Sequence, residues 1–169
     1  GTKNRKIGVP RRYQKIIEES PAPNIDRSII NEMAEAAIKL ASYVNYDGAG
    51  TVEFIYDMND KKFYFLEMNT RIQVEHPVTE LVTNNDLISL QILYAFNRDN
   101  KTLSQKRITT SGHSIECRVY AEDPSQNFLP SPGKITKLKM PKIPNGLRLD
   151  WGFEEGDEIS FYYDPMIGK

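Results

Sequence analysis

The stretch Phe65–Pro77, FLEMNTRIQVEHP, decides both how this chain folds and what it carries. From Glu67 onward every second residue is strongly polar: Glu67, Asn69, Arg71, Gln73 and Glu75, with Met68, Thr70, Ile72 and Val74 between them. Successive side chains of an extended strand point to opposite faces, so this alternation predicts a single polar row along a strand. Such a row is either a hydrated strand face or a set of reacting groups. The residues around it have to separate the two.

Immediately upstream, TVEFIYD (residues 51–57) and KFYFLEMN (62–69) both alternate, and the turn-rich MNDK joins them. This reads as a β-hairpin with its turn near Asp60, which places Glu53 opposite or diagonal to Glu67, on one face with Asn69. Like charges facing each other across strands cost up to about 1 kcal/mol. Either the face is well hydrated, or one carboxyl keeps its proton, or a cation lies between the two. Two carboxylates and an amide, with neither His nor Cys beside them, are oxygen ligands suited to Mg²⁺ or Mn²⁺ and not to zinc. Magnesium held this way completes its shell with water and substrate phosphates, so a nucleotide site stands as the alternative to the solvated face. Four residues apart, Arg71 and Glu75 fall on the same side of the predicted row. The Arg71 fork suits carboxylate, phosphate or bicarbonate. Glu75 is either its salt-bridge partner or a general base near a bound substrate. His76 falls off the row by parity and reads as structural.

Further outward, Pro21 and Pro23 break a basic opening segment, and Asp26 can cap a helix to about Val44. Its apolar residues Ile29, Met33, Ala36, Ala37, Leu40 and Val44 keep to one face. NYDGAG stops it at Gly48 and Gly50. A second helix is expected from Asp86, as N-cap, to Phe96; NRDNKTLSQK then forms a polar connector and a candidate domain boundary. The remainder reads as strands and turns, including HSIECRVYAED and GKITKLKM. Helices first and strands later make the fold class α+β. The net charge of −1 gives no reason to expect a nucleic-acid partner. No apolar run approaches the roughly 18 residues of a membrane span, and no membrane partner is expected. The single cysteine, Cys117, excludes an intramolecular disulfide. It alternates with Ile115 and Val119 and is expected to be a buried structural thiol.

EMNTRIQVEHPVTE resembles the signature of the biotin carboxylases, within the ATP-grasp superfamily. RRYQKIIEESPAP, GAGTVEF, IECRVYAEDP, FLPSPGKIT and YYDPMIGK resemble further family segments, in the family's order and over nearly all of residues 11–169. The resemblance implies an enzyme that uses MgATP and bicarbonate, through carboxyphosphate, to carboxylate biotin on a carrier domain. It assigns Glu53, Glu67 and Asn69 to the metal, Mg²⁺ or Mn²⁺, and Lys15, Ile55 and Glu67 to the nucleotide. Arg71, Gln73 and Val74 fall in the bicarbonate segment, Glu75 matches the base, and Arg118 matches the arginine that stabilises the biotin enolate. Lys15 matches a lysine near the phosphates and bicarbonate, and Asp164 lies in a segment near the active site. Implied partners are a biotin carboxyl carrier, a carboxyltransferase component and a second copy in a homodimer. The implied compartment is the cytoplasm, or the mitochondrial matrix in a eukaryote.

The chain also departs from the pattern. Pro10 and Tyr13 stand where the family commonly has Gln and His, which puts ATP contacts from that segment in doubt. No glycine-rich lid, P-loop or G-x-G-x-x-G is present. The resemblance therefore implies a fragment: the C-terminal half of an ATP-grasp domain over residues 1–105, then the start of a biotin carboxylase C-terminal domain over 106–169. Two other readings stand beside it, a non-catalytic binding or assembly module and another ATP-grasp ligase such as a carbamoyl-phosphate synthetase. The final carboxyl acceptor is not readable from these residues.

Overall fold

A computed structural model of the chain describes residues 14–96 and 108–169. The expected connector, the division at 105/106, and Pro10 and Tyr13 lie outside these residues. The chain falls into two compact units, the first centred on Glu18–Glu116 and the second on Cys117–Lys169 with the residues just before Glu18.

The first unit is α+β. Strand β1 (Ile17–Ser20) pairs with β4 (Ser114–Cys117), and β2 (Thr51–Asp57) pairs with β3 (Lys62–Asn69). Helix α1 (Arg27–Tyr43) follows Asp26, whose carbonyl accepts the Ile30 N–H at 3.2 Å while its side chain makes no cap bond. Ile30 is the helix residue driven into the core, at 4% exposure, whereas Val44 lies past the last turn and is exposed. Ile30→Ala should therefore cost about 2–5 kcal/mol by leaving a cavity. Val44→Ala should stay within about 0.5 kcal/mol, and denaturant unfolding of the two variants checks the contrast. The expected stop is built around Tyr46, whose hydroxyl donates to the Ala49 carbonyl at 2.7 Å. A Cβ on Gly50 would come within 2.8 Å of the Tyr46 ring, so a larger residue there would displace that ring.

The hairpin has the expected turn: Asp57 Oδ1 accepts the N–H groups of Asn59 and Asp60 at 2.8 and 3.2 Å. Its register sets Thr51 against Asn69, Val52 against Met68 and Glu53 directly against Glu67. Beyond that pair the ladder shifts, with Phe54 facing Phe65, so Leu66 is a bulge. Phe54 packs edge-on against Phe63 and Phe65 at centroid distances of 5.3 and 6.4 Å. Those contacts anchor the bulged stretch beside the two glutamates.

Strand β3 ends at Asn69, where the predicted row is cut short. Residues 70–75 bend and turn into α2 (His76–Thr83), with Glu75 as its N-cap and a proline in its first turn. The physical reason is the helix start itself: Pro77 fits the first turn of a helix, and the Glu75 backbone, at φ −81° and ψ 12°, has left the extended region, so the strand cannot continue. Helix α2 is the most buried element, with Pro77, Val78, Thr79, Glu80 and Val82 inside, and it ends on Asn84 in the left-handed conformation. Helix α3 (Leu87–Phe96) starts as expected, with Asp86 accepting from the Ser89 N–H at 2.8 Å and the Ser89 hydroxyl at 2.7 Å.

The second unit is made of short pieces. It contains β5 (Val119–Tyr120), β6 (Glu122–Asp123), β7 (Leu129–Pro130), β8 (Gly133–Lys134), β9 (Glu158–Ile159) and β10 (Met166–Gly168). They pair as β5 with β10, β6 with β7 and β8 with β9. Of the expected GKITKLKM strand only Gly133 and Lys134 are in a ladder. Asp123 caps the turn Pro124–Gln126, and hydrogen bonds from the Ser125 hydroxyl first, then from the Gln126 amide and the Ser125 N–H, hold its carboxyl below the usual range. Gly168 bridges Trp151, and a Cβ on Gly168 would come 2.2 Å from the indole ring.

One burial expectation is inverted. Cys117 is exposed, as are Ile115 and Val119, while the alternate residues Ser114 and Glu116 are buried. In β4 the polar face is the one turned inward, so apolar alternation picked the wrong side.

Candidate functional site

Glu53 and Glu67 form a directly opposed pair, and two amides engage them. Asn69 Nδ2 donates to Glu67 Oε1 at 2.8 Å and contacts Glu53 Oε1 at 3.4 Å, and Gln73 Nε2 donates to Glu53 Oε1 at 2.8 Å. An NH₂ group, the positive end of an amide dipole, therefore stands between two carboxylates. That is the place and the charge sign a divalent cation would take. Turning the Asn69 amide over presents its oxygen instead, giving two carboxylates and a carbonyl oxygen, the hard donor set that Mg²⁺ accepts. Among the described residues no group of three His, Cys, Asp or Glu side chains converges on a cation position. The amide is thus a required member of the set, and the residues present fit the metal.

Gln73 reaches this cluster although the strand has ended. It is 6% exposed, and its buried Oε1 has no hydrogen-bond partner, an uncompensated acceptor four residues beyond Asn69. Orphaned buried acceptors are rare and mark positions where a ligand, ion or water belongs. Glu75, at 3% exposure, occupies the N-cap position of α2. Arg71 is exposed, and its Nη1 donates to the Ile72 carbonyl at 3.2 Å. Arg71 and Glu75 therefore do not share a strand face; they are carried by the bend and by the helix cap. Val74 lies in the same turn, half-buried. Ile55, two residues from Glu53 on β2, is exposed.

The remaining expected residues belong to the second unit. Lys15 is half-buried, and the Arg118 N–H donates to the Ile16 carbonyl at 2.9 Å, so the two cations flank one short ladder contact. Asp164 Oδ1 accepts the Met166 N–H at 2.9 Å, a local turn contact at an exposed position.

His76 falls off the strand row by parity and reads as structural from the sequence. It is the first residue of α2, its ring Nδ1 is 2.9 Å from the Gln73 carbonyl, and its Nε2 is 4.0 Å from Glu80. The signal in the sequence was the Glu-His-Pro triplet at a helix start, which outranks strand alternation.

The model of the carbamoyl-phosphate synthase L-chain ATP-binding domain matches residues 2–103, and that of the biotin carboxylase C-terminal domain matches residues 116–169. The chain is 52% identical over 165 residues to biotin carboxylase 1 of Bacillus subtilis, covering 98% of the chain and 36% of that protein. It is 50% identical to the mitochondrial methylcrotonoyl-CoA carboxylase subunit alpha of Rattus norvegicus, covering 98% of the chain and 23% of that subunit. The chain therefore spans about a quarter to a third of the length of these curated relatives. Among solved structures it is similar to the biotin carboxylase domain dimer of Hydrogenobacter thermophilus 2-oxoglutarate carboxylase in complex with MgADP and bicarbonate. That similarity has a TM-score of 0.85 at 40% identity, over 96% of this chain and 35% of that one. It is also similar to Rhizobium etli pyruvate carboxylase, with a TM-score of 0.88 at 42% identity over 95% of this chain and 16% of that one. With an ATP-binding domain matched first and a biotin carboxylase C-terminal domain after it, the chain belongs to the biotin carboxylase family of ATP-grasp proteins.

Proposed function

We propose that the protein containing this chain uses MgATP and bicarbonate to carboxylate biotin on a carrier, by way of carboxyphosphate. The observation that carries this reading is the opposed Glu53–Glu67 pair bridged by the Asn69 amide, with Gln73 donating to Glu53 from the next segment. Glu53, Glu67 and Asn69 would hold Mg²⁺ or Mn²⁺; when bound, the ion neutralises charge on the transferring phosphoryl group. Lys15 and Ile55 would meet the nucleotide, Lys15 at its phosphates and Ile55 at the adenine. Arg71, with Gln73 and Val74, would seat bicarbonate, for which a planar guanidinium is the matching partner. Glu75 would take the bicarbonate proton as the oxygen attacks the terminal phosphorus of ATP, and ADP leaves. Arg118 would offset the negative charge that builds on the ureido group as N1 loses its proton to the phosphate released from carboxyphosphate and takes up the freed carboxyl group.

The same reading gives the ATP-grasp portion residues 1–105 and the C-terminal domain 106–169, supported by family matches that stop at 103 and resume at 116. It assigns as partners a biotin carboxyl carrier, a carboxyltransferase component and a second copy, the last supported by the dimeric relative. The compartment of this reading is the cytoplasm, or the mitochondrial matrix in a eukaryote; its relatives include a Bacillus subtilis protein and a subunit named as mitochondrial. Among the described residues no helix is long and apolar enough to cross a membrane.

The test is bicarbonate-dependent ATP hydrolysis stimulated by free biotin. The full-length protein should turn over. The 169-residue chain alone should show no turnover above background, since no phosphate-covering lid is among its residues. A full-length protein that binds neither Mg²⁺ nor ATP would instead be a non-catalytic module.

A further inference from the structure

We propose that His76 is a positioning residue for the bicarbonate segment, an inference that rests on the function proposed above. The Gln73 carbonyl receives two donors from this one residue: the His76 N–H at 3.2 Å and the ring Nδ1 at 2.9 Å. A carbonyl oxygen can only accept, so the Nδ1 atom carries the proton and the tautomer is set by this contact. On its other side, Nε2 faces Glu80 Oε2 at 4.0 Å. Glu80 is itself fixed, because its Oε1 accepts the first N–H of α3, from Leu87, at 2.6 Å. Gln73 then donates through Nε2 to Glu53 Oε1 at 2.8 Å. The hydrogen-bonded series runs from the His76 ring through the Gln73 carbonyl and side-chain amide to Glu53, with Glu80 beside the ring at 4.0 Å.

The series explains how Gln73 stays on the carboxylate cluster after β3 has ended. Nothing in a bend of this kind fixes a side chain by alternation, and a backbone N–H alone leaves the Gln73 peptide able to rotate. The ring bond supplies the second point of attachment, which keeps the Gln73 amide on Glu53. A shift of about 1 Å in a substrate-seating group can cost on the order of a hundredfold in rate, so this hold is worth building. His76 acts through Gln73; it is not placed on the reacting atoms.

His76→Leu, His76→Asn and His76→Gln in the full-length protein test this. Asparagine can place its Nδ2 donor where the imidazole Nδ1 lies, whereas glutamine carries its amide one atom further out. His76→Leu should raise the KM for bicarbonate about tenfold, equivalent to about 1.4 kcal/mol. The KM for MgATP should stay within about twofold, and His76→Asn should recover most of the loss while His76→Gln does not. Where the leucine variant does not fold, the Asn–Gln pair decides. Equal behaviour of Asn and Gln, an unchanged bicarbonate KM, or equal rises in both KM values would overturn the proposal. The Gln73 side-chain amide resonance, assigned with Gln73→Glu, reads the same hold without turnover. It should move in His76→Leu and His76→Gln and stay in His76→Asn; no movement in any variant overturns the proposal. A wild-type protein lacking bicarbonate-dependent turnover would sink the functional reading, and the resonance would still decide the role of His76.

Discussion

Glu75→Gln in the full-length protein is expected to lower bicarbonate-dependent ATP hydrolysis by about 10²- to 10⁴-fold, the usual weight of a positioned general base. Glutamine keeps the shape of the side chain, and Glu75 makes no side-chain cap bond at the start of α2, so the fold should survive. Losing a negative charge at a helix N-terminus costs about 0.3–1 kcal/mol. A loss of 10² or more in rate corresponds to about 2.7 kcal/mol at least, well above that cost. Steady-state rates with a thermal melt of each variant check this. A drop of less than about tenfold would show that bicarbonate loses its proton elsewhere.

The second large effect carries a reversal of sign. Glu53→Gln is expected to cut turnover about 10²- to 10³-fold by removing one carboxylate from the cation position. In metal-free protein the same change should stabilise, by up to about 1 kcal/mol, because Glu53 and Glu67 face each other directly and repel. Added Mg²⁺ should raise the melting temperature of the wild type, since an ion that binds only the folded state stabilises it. It should do so far less for Glu53→Gln. Thermal melts with and without Mg²⁺ measure both arms. A variant that is less stable without metal, yet responds to Mg²⁺ like the wild type, would mean that the pair is held by the amides alone.

What could be read from the sequence divides at Asn69. Up to that residue, alternation and the MNDK turn put Glu53 opposite or diagonal to Glu67, and the structure sets them directly opposite. The Leu66 bulge escaped notice because an extra residue leaves no mark on an alternating pattern. After Asn69 the alternation continued on paper while the chain bent into α2, so the shared strand face of Arg71 and Glu75 was an artefact of counting. Pro77 and the capping place of Glu75 were the competing signal, and the helix start prevailed. Cys117 failed differently: in β4 the polar row Ser114 and Glu116 faces inward, which composition-based alternation cannot foresee. The roles of Lys15 and Arg118 never followed from spacing at all. They come from family resemblance, because residues so far apart in the chain converge only through tertiary structure.

The most direct measurement is anomalous diffraction from crystals of the full-length protein grown with Mn²⁺ and ADP. The expected result is a manganese peak roughly 2.0–2.5 Å from carboxylate oxygens of both Glu53 and Glu67, with the Asn69 amide oxygen in its shell. A nucleotide bound with its metal elsewhere, and the Asn69 NH₂ still bridging the two glutamates, would contradict it.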